Sequence, residues 1–190
     1  MTESANLHGG IVGLAAGTLG AVVGRRIVGV TYKTSIDPVQ GVEQGGRAVL
    51  HDVDHAVLLS TESMTIVLEW CIRNYDEFLN IVDSPKEGAA AAVTDVLDAT
   101  GLSQWRHLMG LVITGFGVAT QQSEDGRQLL WAIRLDVERG ASVVVALGET
   151  EDALPRYQPD NLVVIFEPEM AQSYQFPGAS ESAWGRDLQM

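Results

Sequence analysis

The run Trp131 to Gly148, WAIRLDVERGASVVVALG, constrains this chain more than any other stretch. Ile133, Leu135 and Val137 alternate with Arg134, Asp136 and Glu138, the period-two pattern of a strand with one solvated face. Arg139-Gly140-Ala141 breaks the pattern with a residue tolerant of positive φ. Ser142 to Leu147 then resumes as a β-branched run, which predicts a β-hairpin.

The other elements follow in order. Met1 to Leu7 is polar and predicts no element. From Ile11 to Val23 apolar residues recur densely, and glycines at 13, 17 and 20 each lower helix propensity by about 1 kcal/mol relative to alanine. Glycines at such spacing admit another backbone closely, so the expectation is a helix packed tightly on the sheet or on a second subunit. Arg25 to Thr34 reads as a strand, and Ser35 to Gly46, with Pro38 and three glycines, as a loop. Ala56 to Thr61 and Thr65 to Trp70 form a second hairpin around Glu62-Ser63. Cys71 to Val82 fits either a short helix or a strand, ending as a strand, and Asp83 to Gly88 is a break.

Ala89 to Thr100 is rich in helix formers, with Val93, Val96 and Leu97 as its apolar stripe, and predicts a helix ending before Gly101. Ser103 is placed to cap a further turn through Trp105, His107, Leu108 and Met109. Leu111 to Gln121 predicts a strand and Ser123 to Gly126 a turn into the opening hairpin. Glu149 to Asp160, which contains Pro155 and Pro159, reads as an acidic loop, and Asn161 to Phe166 as a strand buried on both faces at the centre of the sheet. Pro168 to Met190 shows little periodicity.

The two halves of the chain resemble each other. Gly24-Arg25-Arg26-Ile27-Val28-Gly29-Val30 aligns with Gly110-Leu111-Val112-Ile113-Thr114-Gly115-Phe116 at the first glycine, the isoleucine and the second glycine. Val57 to Glu62 then lies against Ile133 to Glu138, and Ile66 to Leu68 against Val143 to Val145. The expectation is an α+β fold in a single domain over 1–190: a mainly antiparallel sheet built from two similar helix-strand-loop-hairpin halves, 8–83 and 94–167, joined in one layer with helices packed on one face and an irregular tail, 168–190.

The chain carries 25 acidic against 12 basic residues, a formal net charge of −13, which argues against nucleic-acid binding because that affinity rests on Lys and Arg displacing counterions. It points instead to a basic protein partner. The single cysteine, Cys71, excludes an intrachain disulfide and a Cys-based zinc site, and fits a cytoplasmic location. The uncharged run Gly9 to Gly24 is shorter than the roughly 20 residues of a membrane span and has no preceding Lys or Arg, so no membrane association is expected.

Residue types that carry chemistry are few. His51 and His55, in His51-Asp52-Val53-Asp54-His55, are weak metal candidates; on a strand the histidines would point away from Asp52 and Asp54, splitting the ligands. Cys71 reads as a packing thiol. Gly13 to Gly17 lacks the Lys-Ser/Thr ending of a P-loop, and Gly115-Phe116-Gly117 lacks the third glycine of a dinucleotide turn. No cofactor is expected. Two features suit interaction: the acidic loop Glu149, Glu151 and Asp152 beside the wet face Asp136 and Glu138, and the tail residues Trp184 and Arg186, types that anchor interfaces. The function expected is therefore a non-enzymatic cytoplasmic protein that binds and neutralises or regulates a basic partner, as an immunity or antitoxin factor would. The alternatives are a small-molecule-binding or enzymatic domain with a pocket between the halves, marked by His51, His55 or His107 among carboxylates, and a homodimer subunit.

Overall fold

The computed structural model describes residues 10–35, 43–44, 47–84 and 95–187. The polar N-terminus, most of the Ser35 to Gly46 loop and residues 85–94, with the first part of the expected Ala89 to Thr100 helix, lie outside them. The elements are α1 (Gly10–Val22), β1 (Ile27–Lys33), β2 (Glu43–Gln44), β3 (Arg47–Ala48), β4 (Leu50–Val53), β5 (Ala56–Thr61), β6 (Thr65–Arg73), β7 (Asp76–Ser84) and β8 (Val96–Asp98). There follow α2 (Ser103–Leu108), β9 (Ile113–Gln122), β10 (Gln128–Val137), β11 (Ala141–Leu147), β12 (Glu149–Glu151), β13 (Leu154–Arg156), β14 (Leu162–Ile165), α3 (Pro168–Ser173) and β15 (Arg186–Asp187).

The fold is α+β and mostly antiparallel, but the strands divide into two principal sheets rather than one layer. The first has the order β7-β6-β5-β1-β8, the second β15-β9-β10-β11-β14-β4, and every pairing is antiparallel. Side chains of both sheets enter one apolar core, among them Tyr32, Leu59 and Leu79 from the first and Trp131, Ile133 and Val145 from the second. A single layer would leave one face of each long strand wet. Two sheets that share one core hide the interior side of both, the economical solution for a chain this rich in β-branched residues.

The opening hairpin forms as its alternation requires: Ile133, Leu135 and Val137 pair with Val145, Val143 and Ala141. Arg139 takes the left-handed conformation at φ 67°, followed by Gly140 at 71°. The N-terminal helix is also present, burying Ala15, Leu19 and Val22, one face at helical spacing. Gly13 and Gly17 do not serve close approach: a methyl group on either would meet nothing within 4 Å.

Five readings are settled or corrected. Cys71 to Val82 is strand on both sides of a tight turn at Asn74-Tyr75, because its aromatic and β-branched residues pair across β6 and β7 from Arg73↔Asp76 to Thr65↔Ser84. Val96 to Asp98 is strand, not helix, since Tyr32 and its neighbours on β1 offer it a free edge. The Glu149 to Asp160 loop contains the hairpin β12–β13, with Pro155 at an edge where its missing N–H costs nothing. The strand at Leu162 to Ile165 is buried but lies next to the sheet edge, flanked by β11 and β4. Ser103 is the first residue of α2 and its hydroxyl turns to Gln104; Leu102 holds the cap position. No helix among the described residues is long and apolar enough to cross a membrane.

Candidate functional site

Beside one concavity, three stretches distant in sequence are tied together. The β6–β7 hairpin supplies Asp76 and Glu77. Arg127, at the start of β10, bonds Asp125 at 2.7 Å within its own turn and Asp76 at 2.7 Å across to the hairpin. With Ser123 also donating to it, Asp125 is held down to about 2 by the guanidinium beside it. Gln121 on β9 donates through Nε2 to the Glu77 carbonyl at 2.9 Å. The Tyr157 hydroxyl, just past β13, donates to the Glu77 carboxylate at 2.6 Å. Burial, then the Glu77 bond and the charges of Glu77 and Asp160, push the Tyr157 hydroxyl well above its usual range.

Beyond Tyr157 opens a groove of about 600 Å³ lined by the β12–β13 hairpin on one side and by Ser173, Tyr174, Gln175 and Pro177 on the other. Leu154, Pro155 and the tyrosines form its apolar surface, Glu151 and Arg156 its charged rim. Tyr174 stands edge-on to Trp131, with ring centroids 5.5 Å apart, and donates its hydroxyl to the Leu147 carbonyl. Tyr157 packs against Phe176 at 4.4 Å. Gly148 joins β11 to β12 at φ 144°, and a methyl group there would drive into the Arg156 carbonyl and the Tyr174 hydroxyl. Both walls therefore close over a position only glycine can occupy. A second concavity, about 370 Å³, is lined by Gln121, Gln122, Gln128, Glu181 and Arg186.

The residues singled out from sequence fall into two groups. Asp136 forks onto Arg134 at 2.8 and 3.1 Å and accepts from Ser142 at 2.9 Å. The same guanidinium lies 4.5 Å from the centre of the Trp184 ring, donates to the Trp184 carbonyl at 3.1 Å and pairs with Asp187. Arg186 sits on β15, 3.4 Å from Glu181. Asp136 and Trp184 thus meet on Arg134, where Trp184 covers a buried arginine, while Arg186 pairs across the strand with Val118 on the other face. Glu138 accepts the Val112 N–H at 3.1 Å.

The second group lies at the other end of β11. Ser142 pairs with Asp136 and Glu149 is seven residues further along, roughly 20 Å at about 3.3 Å per residue. Glu149 accepts from Asn161 at 3.3 Å, Glu151 lies 3.8 Å from Arg156 on the groove rim, and Asp152 forms the β12–β13 turn at φ 49°. The face of the opening hairpin expected to be wet is covered at Arg134, 5% exposed beneath Trp184, and it does not form one surface with the acidic loop. Sequence reasoning missed Asp76, Glu77, Tyr157 and Asp160. The Asn74-Tyr75 dipeptide, a two-residue turn signal, was the available clue to the first pair.

The metal candidates part company. His51 is buried on β4 between Tyr32 and Gln104, whereas His55 is exposed, 3.6 Å from Asp54. Among the described residues no group of three or more His, Cys, Asp or Glu could hold a metal ion. His107 is exposed on α2, and Cys71 is half-buried, its thiol pushed up by burial and by Glu69. Comparison with family models, with curated proteins and with solved structures found no match to this chain.

Proposed function

We propose that this chain is a non-enzymatic, cytoplasmic binding protein that takes a basic protein partner and neutralises or regulates it, in the manner of an immunity or antitoxin factor. The observation that carries the reading is the seating of the Tyr157 hydroxyl on the Glu77 carboxylate, beside a groove rimmed by Glu151. Five arginines, Arg26, Arg127, Arg134, Arg156 and Arg186, neutralise carboxylates of the chain itself, and acidic residues still outnumber basic ones, 25 to 12. The surplus negative charge of the chain is thus left to act outward, where it accelerates encounter with a positive surface.

The test is capture from native lysate at low and at high salt, with the bound protein identified and its charge read from its sequence. A basic protein retained at low salt and released at high salt supports the reading. Recovery of none defeats it. The acidic residues of the second group are tested separately: replacing Glu149, Glu151 and Asp152 with neutral residues should slow association with that protein.

We infer also that the two halves descend from one helix-led, four-stranded unit. Gly24 N–H bonds the Ile113 carbonyl and Gly110 N–H bonds the Ile27 carbonyl, while Ile27 N–H reaches Leu111 and Ile113 N–H reaches Arg25. Each bond has its counterpart at an offset of 86 residues, Gly24 to Gly110 and Ile27 to Ile113. Both glycines end a helical stretch at positive φ, 81° and 75°. The strand order β1-β5-β6-β7 is matched by β9-β10-β11-β14, and β8 and β15 return to equivalent edges, Tyr32 facing Leu97 and Val118 facing Arg186.

A further inference from the structure

We infer that Asp125 is a latent modification site: with Gly126 it forms the dipeptide at which this chain converts to isoaspartate, and Arg127 holds that conversion off in the folded protein. Asp125-Gly126 is the single Asp-Gly pair in the sequence, and no Asn-Gly accompanies it. Every other aspartate is followed by a residue whose side chain hinders the amide nitrogen from attacking.

The turn between β9 and β10 needs both residues. Gly126 takes φ 84°, a conformation strained for any residue with a Cβ. Asp125 anchors the turn: it accepts from Ser123 Oγ at 2.5 Å and from Arg127 Nε at 2.8 and 2.7 Å, through both carboxylate oxygens. The demands of the turn thus put an Asp-Gly pair where water reaches it, the aspartate side chain being 57% exposed.

Isomerisation begins when the Gly126 nitrogen gives up its proton and attacks Asp125 Cγ. The new N–C bond forms as one carboxyl oxygen leaves in a water molecule, closing a five-membered imide. Water then opens the imide at either carbonyl, restoring aspartate or leaving isoaspartate, so atoms balance and no electrons are exchanged. Both reacting groups are engaged in the fold. The Gly126 N–H donates to the Ser123 carbonyl at 2.9 Å, which holds the proton that must go. A carboxyl oxygen leaves only from the protonated acid, and the Arg127 guanidinium keeps the group ionised. Arg127 is fixed in turn by Asp76 at 2.7 Å, on the β6–β7 hairpin. Conversion carries an extra methylene into the backbone and takes the carboxylate away from the guanidinium.

The experiment ages the full chain at neutral pH and body temperature and measures isoaspartate at residue 125 by mass spectrometry with electron-transfer fragmentation, which tells the two isomers apart. The parent chain unfolded in guanidinium chloride sets the unprotected rate. Folded parent should convert more slowly than this by about tenfold or more, and Arg127→Gln, checked as folded by circular dichroism, should recover most of the difference. Arg127→Lys, which keeps the charge without the planar group, should fall between the two and serves where the glutamine variant does not fold. Asp76→Asn separates the chemistry from general loosening. It frees the hairpin from Arg127 and leaves the Asp125 pair in place, so its rate should stay within about twofold of the parent. Equal rates in folded and unfolded parent, arginine variants no faster than the parent, or Asp76→Asn as fast as Arg127→Gln would each overturn the inference.

Discussion

The Tyr32 hydroxyl and His51 Nδ1 meet at 2.8 Å inside the core, both side chains shut away from solvent. Trp105 donates its indole N–H to the same hydroxyl, so the tyrosine proton must point to His51, and His51 must carry its own proton on Nε2, 3.2 Å from Gln104 Oε1. The direction of every bond in this chain is therefore determined, and a second proton on His51 would leave two donors facing each other.

That arrangement sets a pH dependence. Burial, only partly opposed by the Gln104 bond, lowers His51 from 6.5 to about 4. The unfolded chain takes up the proton first as pH falls below 6.5, so stability falls with it: about 2 kcal/mol between pH 7 and 5, and about 3 kcal/mol once pH is below 4. Asp52, raised by burial, acts in the opposite sense at lower pH. Denaturant unfolding of His51→Gln alongside the parent isolates the histidine. The variant should be less stable at pH 7 and show a flatter slope between pH 7 and 5; parallel slopes would show that His51 does not titrate as described.

Arg134 pins the C-terminal segment. Its partners Asp136 and Asp187 are partly exposed, so its loss leaves little buried charge, but it removes the surface on which Trp184 rests. Arg134→Ala should cost about 2 kcal/mol and make the chain near Trp184 cleavable by protease under native conditions. Arg134→Lys, which lacks the planar fork, should recover less than half of the loss. Protection unchanged in Arg134→Ala would mean that the segment is held by its backbone pairing with β9 alone.

Tyr75 occupies the second position of the β6–β7 turn at φ 69°, after Asn74 at 55°, and its side chain is 100% exposed. The two-residue turn with both central residues left-handed strongly favours glycine there. Tyr75→Gly should stabilise the fold by about 1 kcal/mol, measured by thermal or denaturant midpoint. A destabilised variant would show that the ring contributes contacts to the folded chain.

Gly17 lies exposed in the middle of α1 with open space where a methyl group would go. Gly17→Ala should raise stability by up to about 1 kcal/mol through helix propensity alone. Loss of stability would show that a neighbour approaches this face in solution.

What could be read from sequence tracks how local its causes are. The hairpin at Trp131 to Gly148 and the helix at Gly10 to Val22 declare themselves because alternation and density of apolar residues act over a few neighbours. Val96 to Asp98 was masked by the alanine-rich run before it; only the open edge of β1, more than sixty residues earlier, makes it a strand. His51 and Asp52 look like a solvated segment, yet both are buried because Tyr32, Gln104 and Thr150 supply their hydrogen bonds. The groove has the same character. Glu77 and Tyr157 are eighty residues apart and share no pattern, so their juxtaposition is a product of the topology. The acidic loop was legible as charge, but not as a hairpin forming a wall.

β4 comes early in the chain, yet it hydrogen-bonds along β14, Leu50 beside Ile165 and Val53 beside Leu162. The later sheet is finished only with a strand borrowed from before its own first residue. A proteolytic fragment beginning at Val96 would keep five of that sheet's strands and present Leu162 to Ile165 as a bare, wholly apolar edge, the kind of template on which other chains stack. Degradation from the N-terminal side would therefore convert this protein from a self-contained fold into a seed for aggregation.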